Sequence, residues 1–206
     1  LLIAFTHLID PKMGIHIIAI TIILIIFLLF LKVILSNMKT TVVDVAITIF
    51  GICYIVVFLW FLPIIRQMEN GGLLLGTVFI IAWGTDIVAY IVGKTLGKHK
   101  FTQISPNKTI EGCIGGIIGA VIGMLIYTYI CNNFFQIDWN YGVIILLSII
   151  LSIVGQIGDL AESCIKRYTG VKDSGNLLPG HGGMLDRIDS IIFIAPFAYI
   201  FFTYIL

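Results

Sequence analysis

Charged side chains gather in one stretch near the carboxyl end of the chain, residues 159–189. The stretch holds five carboxylates and four cations: Asp159, Glu162, Asp173, Asp186, Asp189, Lys166, Arg167, Lys172 and Arg187. Carboxylates hold hard divalent cations such as Mg²⁺, and lysine and arginine hold phosphate groups. The combination indicates metal-assisted chemistry on phosphate compounds. An ordinary solvated loop, the less favoured interpretation, has no need of so many carboxylates.

The segment from Asp159 to Arg167 contains no glycine or proline, so we expect the helix of the preceding apolar run to continue through it. A helix places the polar residues of this segment on one face: Asp159, Glu162, Ser163, Lys166 and Arg167. The chain then enters a glycine-rich loop with Gly-His-Gly-Gly at 180–183. Backbone N–H groups in such a loop can approach a phosphate closely.

Two further carboxylates, Asp186 and Asp189, are three residues apart at the start of the last apolar run. This spacing predicts that both side chains lie on one face of a helix, near its N-terminus. An alternative is that each aspartate only caps the helix. Because Asp159 and Asp186 stand at adjoining membrane boundaries, we expect them to converge on one hard cation. Mg²⁺ prefers one or two carboxylates plus the phosphate oxygens of a substrate.

A second polar stretch covers residues 94–111. Its Ser105-Pro106 pair predicts a turn, after which Lys108 and Thr109 offer donors suited to phosphate. Asp86 lies about two helical turns inside the preceding apolar run. A carboxylate within the membrane is usually functional, although pairing of Asp86 with a neighbouring helix stays open.

The composition shows what surrounds these residues. The 206 residues are 59% hydrophobic and 11% charged, with a net charge of +1 and a mean hydropathy of +1.11. These values exclude a soluble globular enzyme, a disordered chain and a nucleic-acid-binding protein. Runs almost free of charge are each long enough to cross a bilayer: about 13–31, 45–65, 73–93, 112–131, 141–158 and 190–206. We therefore predict an all-α polytopic integral membrane protein with at least six transmembrane helices.

The distribution of basic residues predicts the orientation of the chain. With six spans, the loops 32–44, 94–111 and 159–189 lie on one side and hold ten lysines and arginines, whereas the other side holds Lys12 and Arg66. Cytoplasmic loops carry the excess of basic residues, so the active-site loops are expected on the cytoplasmic side. The chain begins with an apolar segment and no methionine, and we expect further spans upstream of it.

Several motifs resemble those of the phosphatidate cytidylyltransferase family, also called CDP-diacylglycerol synthases. The signature is similar from Ser163 to Asp189, with Ser-Cys-Ile-Lys-Arg, Val-Lys-Asp-Ser-Gly, Leu-Pro-Gly-His-Gly-Gly and Leu-Asp-Arg-Ile-Asp in order. Asp86 with the following Ala-Tyr and Gly, and the run Ser-Pro-Asn-Lys-Thr at 105–109, also match. The chain departs from the family pattern at Asn107, where many members have lysine, and at Ile110, which is often aromatic.

The resemblance implies one membrane-embedded cytidylyltransferase domain over residues 1–206, with the signature region at 159–189. The expected reaction joins CTP and phosphatidate to give CDP-diacylglycerol and diphosphate, in phospholipid biosynthesis. Mg²⁺ is the expected cofactor, and a second metal ion is left open. The expected partners are the two substrates, the lipid bilayer and a second copy of the chain, with no nucleic acid. The expected location is the bacterial inner membrane, with the active site facing the cytoplasm.

The resemblance also assigns roles to residues. Asp159 and Asp186 would bind the metal, and the catalytic group would further include Asp189 and Lys166. Residues expected to bind the phosphate groups of the substrates are Ser163, Arg167, Lys172, Arg187, His181, Ser105, Lys108 and Thr109. His181 could bind a phosphate or shape the glycine turn.

Two other classes of function stay open. A related CTP-dependent lipid kinase, of the polyprenol type, or an archaeal-lipid cytidylyltransferase would use similar residues. In a secondary transporter, Asp86, Glu111 and Asp159 could form a relay along a membrane path. The transporter is disfavoured because the charges gather at one boundary and the sequence has no clear internal repeat.

Overall fold

The computed structural model describes residues 11–36, 39–171, 174–175 and 183–206, with side chains from residue 20 onward in these ranges. This part of the chain is helical, as predicted: α1 (Pro11–Leu35), α2 (Val42–Ile52), α3 (Phe58–Gln67), α4 (Gly71–Leu96), α5 (Ile110–Phe134), α6 (Tyr141–Thr169) and α7 (Leu185–Tyr204). A π-helical turn, Cys53–Val57, continues α2 into α3.

Four helical stretches are long and apolar enough to cross a membrane. They are Val42–Gln67, Gly71–Leu96, Ile110–Phe134 and Tyr141–Thr169. Each contains one of the runs predicted from the sequence, and Ile20–Leu35 is a shorter apolar helix. The protein is therefore an integral membrane protein with four helices of spanning length in the described residues.

The chain divides into two compact units, Leu1–Val57 and Phe58–Leu206. In the first unit, Thr41 and Asp44 form a capping box at the start of α2. The Asp44 carboxylate accepts a hydrogen bond from the Thr41 backbone N–H (2.7 Å), and the Thr41 hydroxyl accepts one from the Asp44 N–H (3.2 Å). These bonds satisfy backbone donors that a helix N-terminus leaves unpaired. The second unit contains all the predicted site residues.

The second unit is built around α4, which packs against α3, α5, α6 and α7. Its core consists of fully buried aliphatic side chains from each helix, including Ile65, Ile81, Met124, Leu147 and Ile194. Because lipid tails are as apolar as these side chains, close packing rather than exclusion from water favours their association.

Glycines of α5 set the distance between α4 and α5. The sequence places Gly115, Gly119 and Gly123 four residues apart, a spacing that predicts close helix contact, and the structure confirms it. A Cβ atom at Gly119 would lie 2.7 Å from the backbone oxygen of Gly84 and would overlap the side chain of Val88. The two helix backbones therefore meet where α5 has no room for a side chain at Gly119, and where a Cβ atom at Gly84 would lie 3.3 Å from the backbone oxygen of Gly119.

Substitution of Gly119 by alanine is expected to destabilise the second unit by about 1–3 kcal/mol, because the added methyl group overlaps the stiff, β-branched side chain of Val88 and lies too close to the backbone oxygen of Gly84. The measurement is thermal unfolding of the purified protein in detergent. Gly72→Ala is the matched control, since its Cβ would meet only the tip of Arg66 at 3.9 Å. Equal unfolding temperatures for the two variants would contradict the close contact.

Helix α6 extends to Thr169, as the sequence predicts, and ends at Gly170, whose φ of +71° favours glycine. The C-terminal half of α6 lies against the first turns of α7. At Gly158 a Cβ atom would lie 2.8 Å from the backbone oxygen of Asp189 and 2.9 Å from Cβ of Phe193. This close approach brings the carboxylates of the two helices into the same region.

Candidate functional site

A cavity of about 450 Å³ opens among α4, the loop that follows it, α5 and α6. Asp86 and Lys94 line it from α4, Lys108 from the loop, and Gln156 and Asp159 from α6. Its volume lies in the range of small-molecule sites, in which a few polar groups fix the orientation of a ligand. Four of the residues singled out in the sequence, Asp86, Lys108, Thr109 and Asp159, thus share one cavity.

Lys108 and Asp159 form an ion pair across this cavity. The Lys108 Nζ lies 2.6 Å from Oδ2 of Asp159, with about a fifth to a third of each side chain exposed. Nζ also lies 3.5 Å from the carbonyl oxygen of Gln156. The carboxylate holds the lysine ammonium group in one orientation in this partly buried site. The N–H groups of the lysine that do not bond to the carboxylate could donate to phosphate oxygens.

The loop that carries Lys108 is a short antiparallel arrangement with the predicted turn at its tip. The backbone N–H of Lys108 donates to the oxygen of Ser105 (3.0 Å), which closes the Ser-Pro turn, and its oxygen accepts from the N–H of Phe101 (2.9 Å). Lys100 and Thr109 form an isolated β-bridge. The Thr109 hydroxyl caps α5 by accepting from the N–H of Gly112 (3.1 Å).

The base of the loop is fastened by Glu111. One oxygen of its carboxylate lies 2.6 Å from Nδ1 of His99, and the other accepts from the His99 backbone N–H at 3.3 Å. The backbone N–H of Ile110 also donates to the oxygen of His99 (3.0 Å). Glu111 therefore holds the two ends of the loop together.

A second polar cluster joins α6 to α7. The side chain of Lys166 lies between two carboxylates. Its Nζ is 2.5 Å from Oε2 of Glu162 and 2.7 Å from Oδ1 of Asp186. Glu162 is fully buried. The other oxygen of Asp186 accepts hydrogen bonds from the backbone N–H and hydroxyl of Ser174 and from the N–H of Gly183. Asp186 thereby fastens the described ends of the glycine-rich loop to the first turn of α7.

These contacts determine the charge of Asp186. Partial burial acts to raise the pKa of this carboxyl, but the hydrogen bonds from Lys166, Ser174 and Gly183 outweigh burial. They hold the pKa of Asp186 well below its usual range. The group is an anion at neutral pH.

The donor set suits a hard cation. Asp159 and Glu162 on α6 and Asp189 on α7 stand in the parts of the two helices that pack against each other at Gly158. Among the described residues, no three histidine, cysteine or acidic side chains surround a common point that could hold a metal, and Asp159 and Asp186 each contact a lysine. Since Mg²⁺ needs only one or two protein carboxylates beside substrate oxygens, this chemistry fits it, and the metal site stays a prediction.

The remaining predicted residues that the structure describes lie on α6 and in the first turns of α7. Arg167 at the end of α6 donates from Nε to the oxygen of Ile104 (3.3 Å), so it reaches the Lys108 loop. Ser163 is half-buried on α6, and Arg187 is exposed in the first turn of α7. Asp189 accepts from the N–H of Ser190 (2.7 Å). Lys172 and His181 lie outside the described residues.

The sequence reasoning gave no site role to several cavity residues, among them Gln156, Tyr90 and Lys94. The Gln156 amide donates to the oxygen of Cys113 (3.1 Å) and so joins α6 to α5. One signal could have found it, since Gln156 is an amide in an otherwise apolar run, three residues before Asp159 and on its face of the helix.

Comparison with known proteins decides the family. The model of the family described as "Cytidylyltransferase family" matches residues 1–205. The chain belongs to the cytidylyltransferase family. This confirms the resemblance seen in the motifs, and the family's match extends over both units of the fold rather than the signature alone.

Curated relatives in this family carry the name phosphatidate cytidylyltransferase. The chain is 42% identical to the one from Staphylococcus haemolyticus over 171 residues, which cover 82% of this chain and 64% of the relative. It is 46% identical to the Bacillus subtilis protein over 137 residues, which cover 66% and 49%. It is 43% identical to the Staphylococcus aureus (strain COL) protein over 166 residues, which cover 79% and 61%. The chain thus spans about half to two thirds of the length of these relatives.

Proposed function

We propose that this chain forms the catalytic part of a phosphatidate cytidylyltransferase, which joins CTP and phosphatidate to give CDP-diacylglycerol and diphosphate. Family membership and the names of the curated relatives support this activity. The observation that carries the proposal is the Lys108–Asp159 ion pair in a cavity at the ends of membrane-length helices. Such a pair supports the proposal because its lysine could bind a phosphate group and its carboxylate could bind a metal ion beside it.

The reaction needs positioning more than proton transfer. The second pKa of a phosphate monoester is about 6, so the phosphatidate oxygen is largely deprotonated at pH 7. This oxygen attacks the α-phosphorus of CTP. The bond from that phosphorus to the oxygen leading to the β-phosphate breaks, and diphosphate leaves with the electron pair. The obstacle is repulsion between anions, which fixed cations reduce.

Several residues of the chain would together position the substrates and reduce the repulsion between their phosphate groups. Lys108, held by the loop and by Asp159, would donate to a phosphate oxygen at the cavity. Lys166 would keep Asp186 in place and, with Arg167 at the end of the same helix, face the leaving phosphates. Asp159 and Asp186 would hold Mg²⁺, with Asp189 beside them. Bound there, the ion would offset the negative charge that builds on the departing diphosphate.

Seven residues complete the proposed substrate site: Ser163, Arg167, Lys172, Arg187, His181, Ser105 and Thr109. The proposal further includes at least six spans, among them about 13–31 in α1 and 190–206 in α7, and the charged loops on the cytoplasmic side of a bacterial inner membrane. The excess of basic residues in those loops supports this orientation. A homodimer rests on the family resemblance alone.

Labelled nucleotide tests the proposal and separates it from the alternatives. The full-length protein in detergent is incubated with Mg²⁺, phosphatidate and CTP carrying ³²P at either the α- or the γ-position. The proposed reaction puts the α-label into lipid and releases the γ-label as diphosphate. A lipid kinase would put the γ-label into lipid, and uptake into proteoliposomes without any labelled product would indicate a transporter. An archaeal-type lipid replaces phosphatidate in a parallel reaction, and faster turnover with that lipid would overturn the proposed substrate.

A further inference from the structure

Lys94 and Tyr90 form a polar pair on the wall of the cavity. The Lys94 Nζ lies 3.5 Å from the hydroxyl oxygen of Tyr90 and 5.6 Å from the centre of its ring. Both side chains line the cavity from α4 and both are exposed. One helical turn separates them, so they face the same direction.

The charge of Lys94 is not offset by a carboxylate in the described part of the chain. The two other lysines near the site each contact an anion, Lys108 at Asp159 and Lys166 at Glu162 and Asp186. The described contacts of Lys94 are with Tyr90, a neutral partner. A cation on a cavity wall without an anion beside it provides a place for an anionic ligand group.

We propose that Lys94 and the Tyr90 hydroxyl bind the phosphate monoester of the lipid substrate, where the cavity meets the bilayer. The inference rests on the proposed function and adds a subsite to it. Lys94 supplies the charge. The Tyr90 hydroxyl, which accepts from Lys94 in this structure, has a proton to donate to a phosphate oxygen.

The surroundings of the pair favour the lipid phosphate over the nucleotide phosphates. Ile87 and Ile91 share the face of α4 with Tyr90 and Lys94, and both isoleucines are more than half exposed. An apolar face that ends in a tyrosine and a lysine is typical of the boundary between lipid tails and headgroups. Asp86 lies on the same helix about 12 Å deeper than Lys94 and about 6 Å deeper than Tyr90, at about 1.5 Å per residue. Its negative charge would keep a phosphate near Lys94 rather than further inside.

The test compares four variants of the full-length protein in mixed micelles: Lys94→Met, Lys94→Arg, Tyr90→Phe and the control Lys98→Met. Lys98 follows α4 and does not line the cavity. We expect Lys94→Met to raise the KM for phosphatidate about tenfold, as loss of one charge-assisted hydrogen bond implies, with the KM for CTP unchanged. Tyr90→Phe is expected to give a smaller rise, and Lys94→Arg to recover most of the affinity.

Binding without turnover separates this inference from the proposed reaction. Equilibrium binding of short-chain phosphatidate, compared with diacylglycerol of the same chains, reports the contribution of the phosphate alone. Lys94→Met should remove most of the preference for phosphatidate, whereas a failed reaction would show as absence of labelled lipid from the wild-type protein. A rise in the KM for CTP instead would overturn the assignment to the lipid. Equal results for Lys94→Met and Lys98→Met would show that the pair only anchors the helix at the interface.

Discussion

Asp159→Asn is expected to lower the rate of CDP-diacylglycerol formation at least about a hundredfold while the helices stay folded. Asparagine has the same size and keeps a hydrogen-bonding oxygen, but it carries no charge. Lys108, 2.6 Å away, loses the anion that fixes its direction, and the proposed metal loses one of its carboxylates. Asp186→Asn is expected to have an effect of similar size, because Asp186 also holds Ser174 and Gly183.

The measurement is incorporation of α-labelled CTP into lipid by purified variants, together with thermal unfolding in detergent. Asp138→Asn is the matched control, since Asp138 is exposed in the segment between α5 and α6, outside the cavity. A titration with Mg²⁺ separates the two roles of Asp159. A higher Mg²⁺ requirement indicates metal binding, whereas loss of rate at an unchanged requirement indicates only the orientation of Lys108. Near-normal activity of either variant would make the metal assignment wrong.

The sequence was sufficient to predict features that depend on neighbours along the chain. The absence of glycine and proline between Asp159 and Arg167 predicted the continuation of α6, which ends at Thr169. The Ser105-Pro106 pair predicted the turn that closes on Lys108, and the glycine spacing in α5 predicted its close contact with α4. Each of these features follows from local backbone geometry or from a repeat on one helix face.

The partners of the charged groups could not be predicted in the same way. Asp159 and Lys108 are 51 positions apart in the numbering and meet because α4, α5 and α6 pack closely. The spacing of charges suggested that Asp159 and Asp186 face one cation, and the structure shows a lysine beside each of them. Rotation of a helix about its axis decides such pairs. That rotation is set by contacts at residues such as Gly119 and Gly158, which carry no charge signal in the sequence.

Lys94 and Gln156 show a second reason why the sequence did not predict every residue of the site. Basic residues are expected in every cytoplasmic loop, so the lysines of residues 94–108 look alike in the sequence. Only the cavity distinguishes Lys94 and Lys108, which line it, from Lys98 and Lys100, which do not. A concave surface is a property of packed helices, and no window of the sequence contains it.

The second large effect is expected at Lys166, where Lys166→Met is predicted to destabilise the protein by about 3 kcal/mol or more. Methionine fills the space of the lysine stem but leaves Glu162, which is fully buried, and Asp186 facing each other without a cation. The unfolding temperature in detergent should fall, and activity should fall further than in Lys98→Ala. Lys98 lies outside both clusters and is the control for loss of a nearby positive charge.

A double-mutant cycle tests whether the destabilisation comes from an uncompensated buried charge or from loss of packing. Glu162→Gln alone should lower the free energy of unfolding only slightly, because Lys166 keeps Asp186 as its partner. In the Lys166→Met background the same change removes the uncompensated buried charge, so it should recover about 1 kcal/mol or more of the lost stability. Activity should not recover with it, since Asp186 still lacks the cation that holds it in place. Strictly additive effects of the two substitutions on stability would show that Lys166 does not act through Glu162. Recovery of both stability and activity would show that Lys166 serves the fold and not the reaction.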